Sequence, residues 1–342
     1  LSRLEIREVE FDCGGVGSGA ILPVSGIALR FDNCVFNRPL DRGITSIGAG
    51  CQGMFVDMCQ FLSNEQALNV VDRTSIALNI NANDAKIRNN RAAYFAHFGV
   101  LAGGSHIILG NHLFSEDEEP LGLRRAGLVF CTRNVRGFVV GNYIDNCYIE
   151  WSNEHDADPA WQNELSFGGL TISTNIFMAI DVTSAFRWLV VTPRGPGHFF
   201  NGLSVTGNVF RNGTGAIDRV EMVDTTHATL NAGNNRNLFF ANNTFNGITQ
   251  ATVSPILVEH TQNTADETWV VDAGDYLPFG ARARNVESHV LEGPVRNAGG
   301  TVQWVQPYVE VEQGAGDRFV HLRWPSAVRG KAMVKVRCDN PL

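Results

Sequence analysis

One short motif recurs along the chain and limits what it can fold into more than any other feature. In Leu203-Ser-Val-Thr-Gly-Asn-Val-Phe-Arg-Asn212, Leu203 and Val205 alternate inward, Gly207 and Asn208 make a bend, and Phe210 points in again from a second short strand. The pattern returns at 170–177 and 238–245, and more loosely at 87–92, 107–113 and 138–144. At 32–36 and 57–61 a Cys takes the Asn position. Read as one column, Cys34, Cys59, Asn90, Asn111, Asn142, Asn175, Asn208 and Asn243 are spaced 25, 31, 21, 31, 33, 33 and 35 residues apart. A unit of roughly 20–50 residues that recurs this often marks a repeat architecture. Each unit is strand and turn with no helical period, so the repeat is one coil of a parallel β-helix. Asn tolerates the left-handed backbone that a bend demands. Stacked Asn side chains can also bond the backbone of the next coil, each bond worth about 1 kcal/mol net. Unrelated Gly-Asn hairpins would not keep an inward Phe two residues past the bend in the clearest copies.

The expected fold class is all-β, with a single-stranded parallel β-helix over 1–260. A connector follows over 261–283, with a turn at 274–278. A small C-terminal antiparallel β domain, sandwich-like, occupies 284–342, because 302–311, 319–324 and 332–337 alternate in the manner of strands with one wet face. A solenoid's last repeat needs a cap, which gives that domain a physical reason to exist. The chain opens inside a strand-like run at 4–11 without Met or a leader, so it reads as a piece of a longer protein with a larger N-terminal part. Charged residues are 18% of the chain and the formal net charge is −8, which points away from duplex nucleic acid and from an anionic membrane. No stretch is apolar for long enough to insert in a bilayer. The seven Cys have no CxxC spacing. Stacked buried thiols fit them best, with a disulfide between coils or a metal site as alternatives.

If the bend is the second turn of each coil, 128–133, 147–151, 187–192, 219–223 and 256–260 lie side by side on one face. The longest and most polar excursion, 152–166, leaves from that face, and long loops on a rigid solenoid usually carry function. Glu150, Glu154 and Asp156 are the candidate catalytic carboxyls. Trp151, His155, Trp161, Arg187, Arg194 and Glu221 are the candidate substrate contacts. Carboxylates among aromatic side chains suit saccharide chemistry. Hydrolysis wants two carboxyls at a set separation, whereas elimination wants a base and a cation on a uronate, which Arg187 or Arg194 could supply. The same residues also suit plainer roles. Trp151 and Trp188 fit a core, the outward Glu and Arg residues fit a solvated surface, and His155 between two acids fits a metal cluster. No cofactor is called for, although Ca²⁺ at the acidic run within 115–120 stays open, without EF-hand spacing.

With these residues in view, the chain resembles the pectate-lyase-like superfamily of right-handed β-helices over 1–260. The segments 145–156, 195–199, 280–284, 292–297 and 324–328 resemble alphaproteobacterial glycoside hydrolase family 28-related proteins, which are similar to phage tail spikes and tail fibres. The resemblance implies a homotrimer outside the cell or on a virion, whose partner is a surface polysaccharide that it binds or cleaves. The polygalacturonase motifs are absent as a set, and Gly197-His198-Phe199 is the nearest fragment. No catalytic residue carries over, so hydrolase, lyase, binding-only adhesin and structural shaft all remain open readings.

Overall fold

The computed structural model describes residues 3–46, 51–63, 75–115, 124–131, 136–160 and 166–340. The chain divides into two compact units, Leu1–Leu230 with Asn242–Thr249, and Asn231–Ala241 with Gln250–Leu342.

The first unit is a right-handed parallel β-helix. Its strands form three long parallel sheets, in which successive coils stack strand on strand. The first sheet runs from Glu5–Arg7 to Ser204–Thr206 and the second from Glu10–Asp12 to Thr244–Asn246. The third runs from Gly19–Ile21 through Ala126–Phe130, Tyr148–Ser152 and Leu189–Thr192 to Glu221–Val223. Pairing is residue on residue, as at Ile172↔Val205 and Phe177↔Phe210, so side chains stack in files. Phe11, Phe36 and Phe61 stack at 5.2 and 4.7 Å, and Phe177, Phe210 and Phe245 at 4.7 and 5.8 Å.

The asparagine column stands as expected, between the first and second sheets. Where both corners are Asn, from Asn90 to Asn243, the Oδ1 of one Asn accepts from both the backbone N–H and the Nδ2 of the Asn before it, and Cys59 gives Asn90 its backbone N–H alone. Asn142 gives two such bonds of 2.9 Å to Asn175, and Asn175 gives bonds of 3.0 and 2.9 Å to Asn208. Nδ2 also donates to a backbone carbonyl, as Asn175 does to Val139 at 2.9 Å. The left-handed residue is not the Asn itself but the one before it. Met58, Asn89, Gly110, Gly141, Thr174, Gly207 and Asn242 have φ between 51 and 67° there, and this turns the chain so that the Asn side chain points along the stack. All seven cysteines are free thiols, and six are buried. Burial pushes Cys59, Cys131 and Cys147 up to about 12, which keeps them protonated.

The second unit corrects the expected boundaries. The first half of the supposed connector is part of one long strand, Ile256–Asp272, paired antiparallel with Phe319–Arg337 from Ile256↔Val336 to Asp272↔Phe319. Its polar alternation looks like a connector because the partner that satisfies its backbone comes some sixty residues later. For the same reason 256–260 does not continue the third parallel sheet. The turn at 274–278 is present as the short 3-10 helix Gly274–Tyr276. Asn285–Leu291, Val295–Arg296 and Tyr308–Gln313 also pair with Phe319–Arg337. The 280–284 motif is structural, since Arg284 donates to Glu312 at 2.7 Å and Arg282 faces Asp317 at 3.4 Å.

Asn175→Ala leaves the buried Asn142 N–H without its acceptor and takes one partner each from Asn142 Nδ2, the Val139 carbonyl and Asn208 Oδ1, which keeps the Asn175 N–H. The expected loss is about 2–4 kcal/mol, read as a lower urea midpoint at unchanged denaturant slope.

Candidate functional site

The third sheet builds the site. Along Tyr148–Ser152 the core side chains are Ile149 and Trp151, which pair with Leu189 and Val191. The alternation therefore turns Glu150 outward, beside Val190 of the next strand and Met222 of the one after. Thr192 and Asp224 follow two residues further along, where the Asp224 N–H donates to the Val191 carbonyl at 2.8 Å. These outward residues floor a groove of about 370 Å³, walled by Arg124, Arg187, Arg194 and His227.

Arg124 is the hub. Its Nε donates to Glu150 Oε2 at 2.6 Å, and its two terminal nitrogens grip Glu154 at 2.9 and 3.0 Å. Arg194 adds a bond to Glu154 at 3.3 Å, and the Thr192 hydroxyl donates to Glu150 Oε1 at 3.0 Å. The two carboxyls are pushed apart in acidity. Glu150 is 4% exposed, and its burial outweighs Arg124 and Thr192, so its pKa is raised. Burial also pushes Glu154 up, but the Arg124 pair and the charges of His155 and Arg194 outweigh it and hold the group below its ordinary range. Asp224 follows the second pattern. Burial is overcome by the Thr226 hydroxyl and amide at 2.6 and 3.0 Å and by the charges of His227 and Arg194, so it stays ionised. Close by, His97 is half-buried, and desolvation pushes it down to about 4, so it is neutral and its Nδ1 donates to the Ala126 carbonyl at 2.7 Å.

The described part of the excursion, 152–160, is latched to the segment that follows the next strand. Asn153 Oδ1 accepts from the Arg194 N–H at 2.9 Å, and Asn153 Nδ2 donates to the Pro159 carbonyl at 2.9 Å. His198, fully buried, donates from Nε2 to the same carbonyl at 2.6 Å and accepts at Nδ1 from the Ser166 hydroxyl at 2.8 Å. A Cβ on Gly195 would stand 2.6 Å from the Pro159 carbonyl group. The 195–199 segment is therefore what ties this excursion to the next coil.

Of the sequence candidates, Glu150, Arg187 and Arg194 line the groove. Glu154 does not line it, and both its oxygens are spent on Arg124, which makes it a positioning group. Asp156 is half-buried on the following turn and does not line the groove either. His155 is exposed, 3.9 Å from Glu154. Trp151 is corrected, because it has no exposed surface and packs at 5.4 Å on Phe200, so no sugar can reach it. Trp188 is core in the same way. Glu221 is corrected too. It pairs with Leu189 on the core side, is 2% exposed, and accepts two bonds from Arg219 at 2.6 and 2.8 Å. Arg187 lines the groove, but its guanidinium donates to the Ser184 and Phe186 carbonyls at 2.7 and 2.8 Å. Trp161 lies outside the described residues, as does the acidic run after Ser115. Among the described residues, no three His, Cys, Asp or Glu side chains gather as a metal site. Sequence reasoning missed Arg124 and Asp224. The available signal for Asp224 was register, since it continues the outward row of Thr192.

No protein-family model matches the chain, and no curated protein matches it. Solved structures do. The chain is similar to the Dettilon tailspike protein at 11% identity, over 93% of this chain and 68% of that one, with a TM-score of 0.42. It is similar to the tailspike of Pseudomonas phage LKA1 at 12% identity, over 99% and 67%, with a TM-score of 0.41. It is also similar to a mutant tailspike of E. coli bacteriophage HK620, solved in complex with a pentasaccharide, at 11% identity, over 98% and 69%, with a TM-score of 0.40. The likeness to these phage proteins is one of fold.

The opposed shifts of Glu150 and Glu154 predict opposite pH effects on stability. The folded chain keeps the Glu150 proton to a higher pH than the unfolded chain does, so in that window stability falls as pH rises. Glu154 ionises at lower pH when folded, so its contribution is present above its unfolded value and is lost as pH falls through its folded one. From about pH 4 to about pH 7, spanning the ordinary Glu range, the Tm of Glu150→Gln relative to the parent is expected to rise. That of Glu154→Gln is expected to fall, and both are read by calorimetry.

Proposed function

We propose that the groove engages a cell-surface polysaccharide and hydrolyses a glycosidic bond in it, with Glu150 as general acid and Asp224 as general base. The observation that carries this reading is the pair of outward carboxyls on one floor, one held towards its protonated form by burial and the other held ionised by Thr226, His227 and Arg194. Groups whose surroundings drive their acidities apart are the usual sign of an acid and base pair. The two residues stand two strands and two positions apart, which puts their Cα atoms on the order of 12 Å from one another. Side chains from such positions suit the wider arrangement, with carboxyls about 6.5–9.5 Å apart and a water between. Glu150 gives its proton to the glycosidic oxygen as the C–O bond breaks. Asp224 takes a proton from the water that attacks the anomeric carbon on the opposite face. Arg194 and His227 bind hydroxyl or carboxylate groups of the sugar.

The sequence resemblance adds the setting, a homotrimer displayed outside the cell or on a virion and joined to a larger N-terminal part. A second reading, a groove that binds glycan without turnover, is favoured by one observation. Both Glu150 oxygens already have partners, and the side chain is 5% exposed.

Incubation with purified capsular and exopolysaccharides separates the two. Hydrolysis shortens the chains and creates new reducing ends without the near-ultraviolet absorbance of unsaturated products. Glu150→Gln and Asp224→Asn are each expected to lower turnover by about 100-fold or more while leaving binding in place. The parent's pH profile should be bell-shaped, with Asp224 setting the acid limb and Glu150 the alkaline one. Full turnover in either variant sinks the assignment, and binding without shortening selects the second reading.

A further inference from the structure

We infer that the second unit carries a glycan-binding strip of its own, formed by Trp304, Gln306 and Tyr308. Trp304 is 88% exposed and Tyr308 71%, the two most exposed large apolar side chains of this unit. By contrast Trp151, Trp188, Trp269 and Trp324 are all buried. Exposure alternates from 304 to 308, along the segment that joins the strands Val302–Gln303 and Tyr308–Gln313, so Trp304, Gln306 and Tyr308 come to the surface together on a backbone that Pro307 stiffens.

The chemistry of the strip selects its ligand. From Thr301 to Val309 the chain has no charged residue. Tyr308 pairs with Arg323, but that guanidinium is already taken by Glu310 and Thr268, each at 2.8 Å. What remains is two ring faces with an amide between them and a phenol hydroxyl at one end. Ring faces accept the C–H side of a pyranose, and the amide and hydroxyl meet its oxygens. Four residues of chain set the two rings' Cα atoms at most about 13 Å apart, a reach of two to three sugar units. The ligand is therefore a stretch of an uncharged polysaccharide rather than a single sugar.

A second copy of the chain fits less well. Two rings offer at most about 300–500 Å², against about 800 Å² per partner in a stable interface. The exposed Leu257 and Val290 do not extend the patch. They pair with Lys335 and Met333, near the other end of the strand Phe319–Arg337 from Arg323.

The strip binds whether or not the groove hydrolyses, so its test uses Val290→Ala, an exposed apolar side chain of the same unit away from the strip, as a control. The full chain is run by affinity electrophoresis through gels containing dextran, yeast mannan, laminarin or alginate, and its tryptophan quenching by acrylamide is followed with each polymer. Retardation in at least one uncharged gel is expected, together with protection of the one strongly exposed described Trp from quenching. Trp304→Ala and Tyr308→Ala are each expected to weaken retardation about tenfold or more, with Trp304→Phe retaining most of it and Val290→Ala all of it. Three outcomes overturn the inference. These are no retardation in any uncharged gel, unchanged retardation in Trp304→Ala, or an oligomer in sedimentation that Trp304→Ala dissociates, which would make the strip a contact between copies.

Discussion

Everything in the first unit depends on one repeated interaction, the asparagine side chain that bonds its counterpart one coil further on. Each Asn spends its oxygen on two donors of the previous coil and its amide on a backbone carbonyl and the next Asn. Both ends of the side chain are satisfied inside the protein, where an unpaired amide would be costly. The geometry closes only when neighbouring coils are in register, so the corner fixes how every strand meets the one beside it. The stacked Phe files then follow, because a shift of one residue would turn each ring outward.

That register brings chemistry together from distant parts of the chain. Thr192 reaches Glu150 across 42 residues of sequence, and Arg124 reaches Glu154 across 30. The guanidinium of Arg124 lies between a carboxyl that burial dominates and one that cationic partners dominate, so one side chain serves two environments. The bonds of Asn153, Ser166 and His198 hold Pro159 beside the groove without using any residue of its floor.

The winding, the corner and its period were legible in the sequence because they repeat, and repetition averages out local ambiguity. The groove was legible in part. Glu150, Arg187 and Arg194 follow from which strands stack, but Trp151 and Glu221 needed the phase of alternation, which their own strands leave undecided. The neighbouring pairs Leu128 with Ile149 and Phe130 with Trp151 settle it. Arg124 lies just outside a strand, where alternation says nothing of direction. The strand Ile256–Asp272 was hidden for a different reason. Its partner is distant in sequence, and its exposed polar side chains carry the signature of a loop.

The unequal coils point to a way of remaking the protein. From one Asn to the next, the chain uses as few as 21 residues and as many as 35, yet the corner geometry is the same each time. The surplus is confined to the other turns, which behave as ports into which segments of different length can be spliced. A graft between two of these ports would change the side chains presented beside the groove and leave the shaft intact, much as tool heads are changed on a fixed handle.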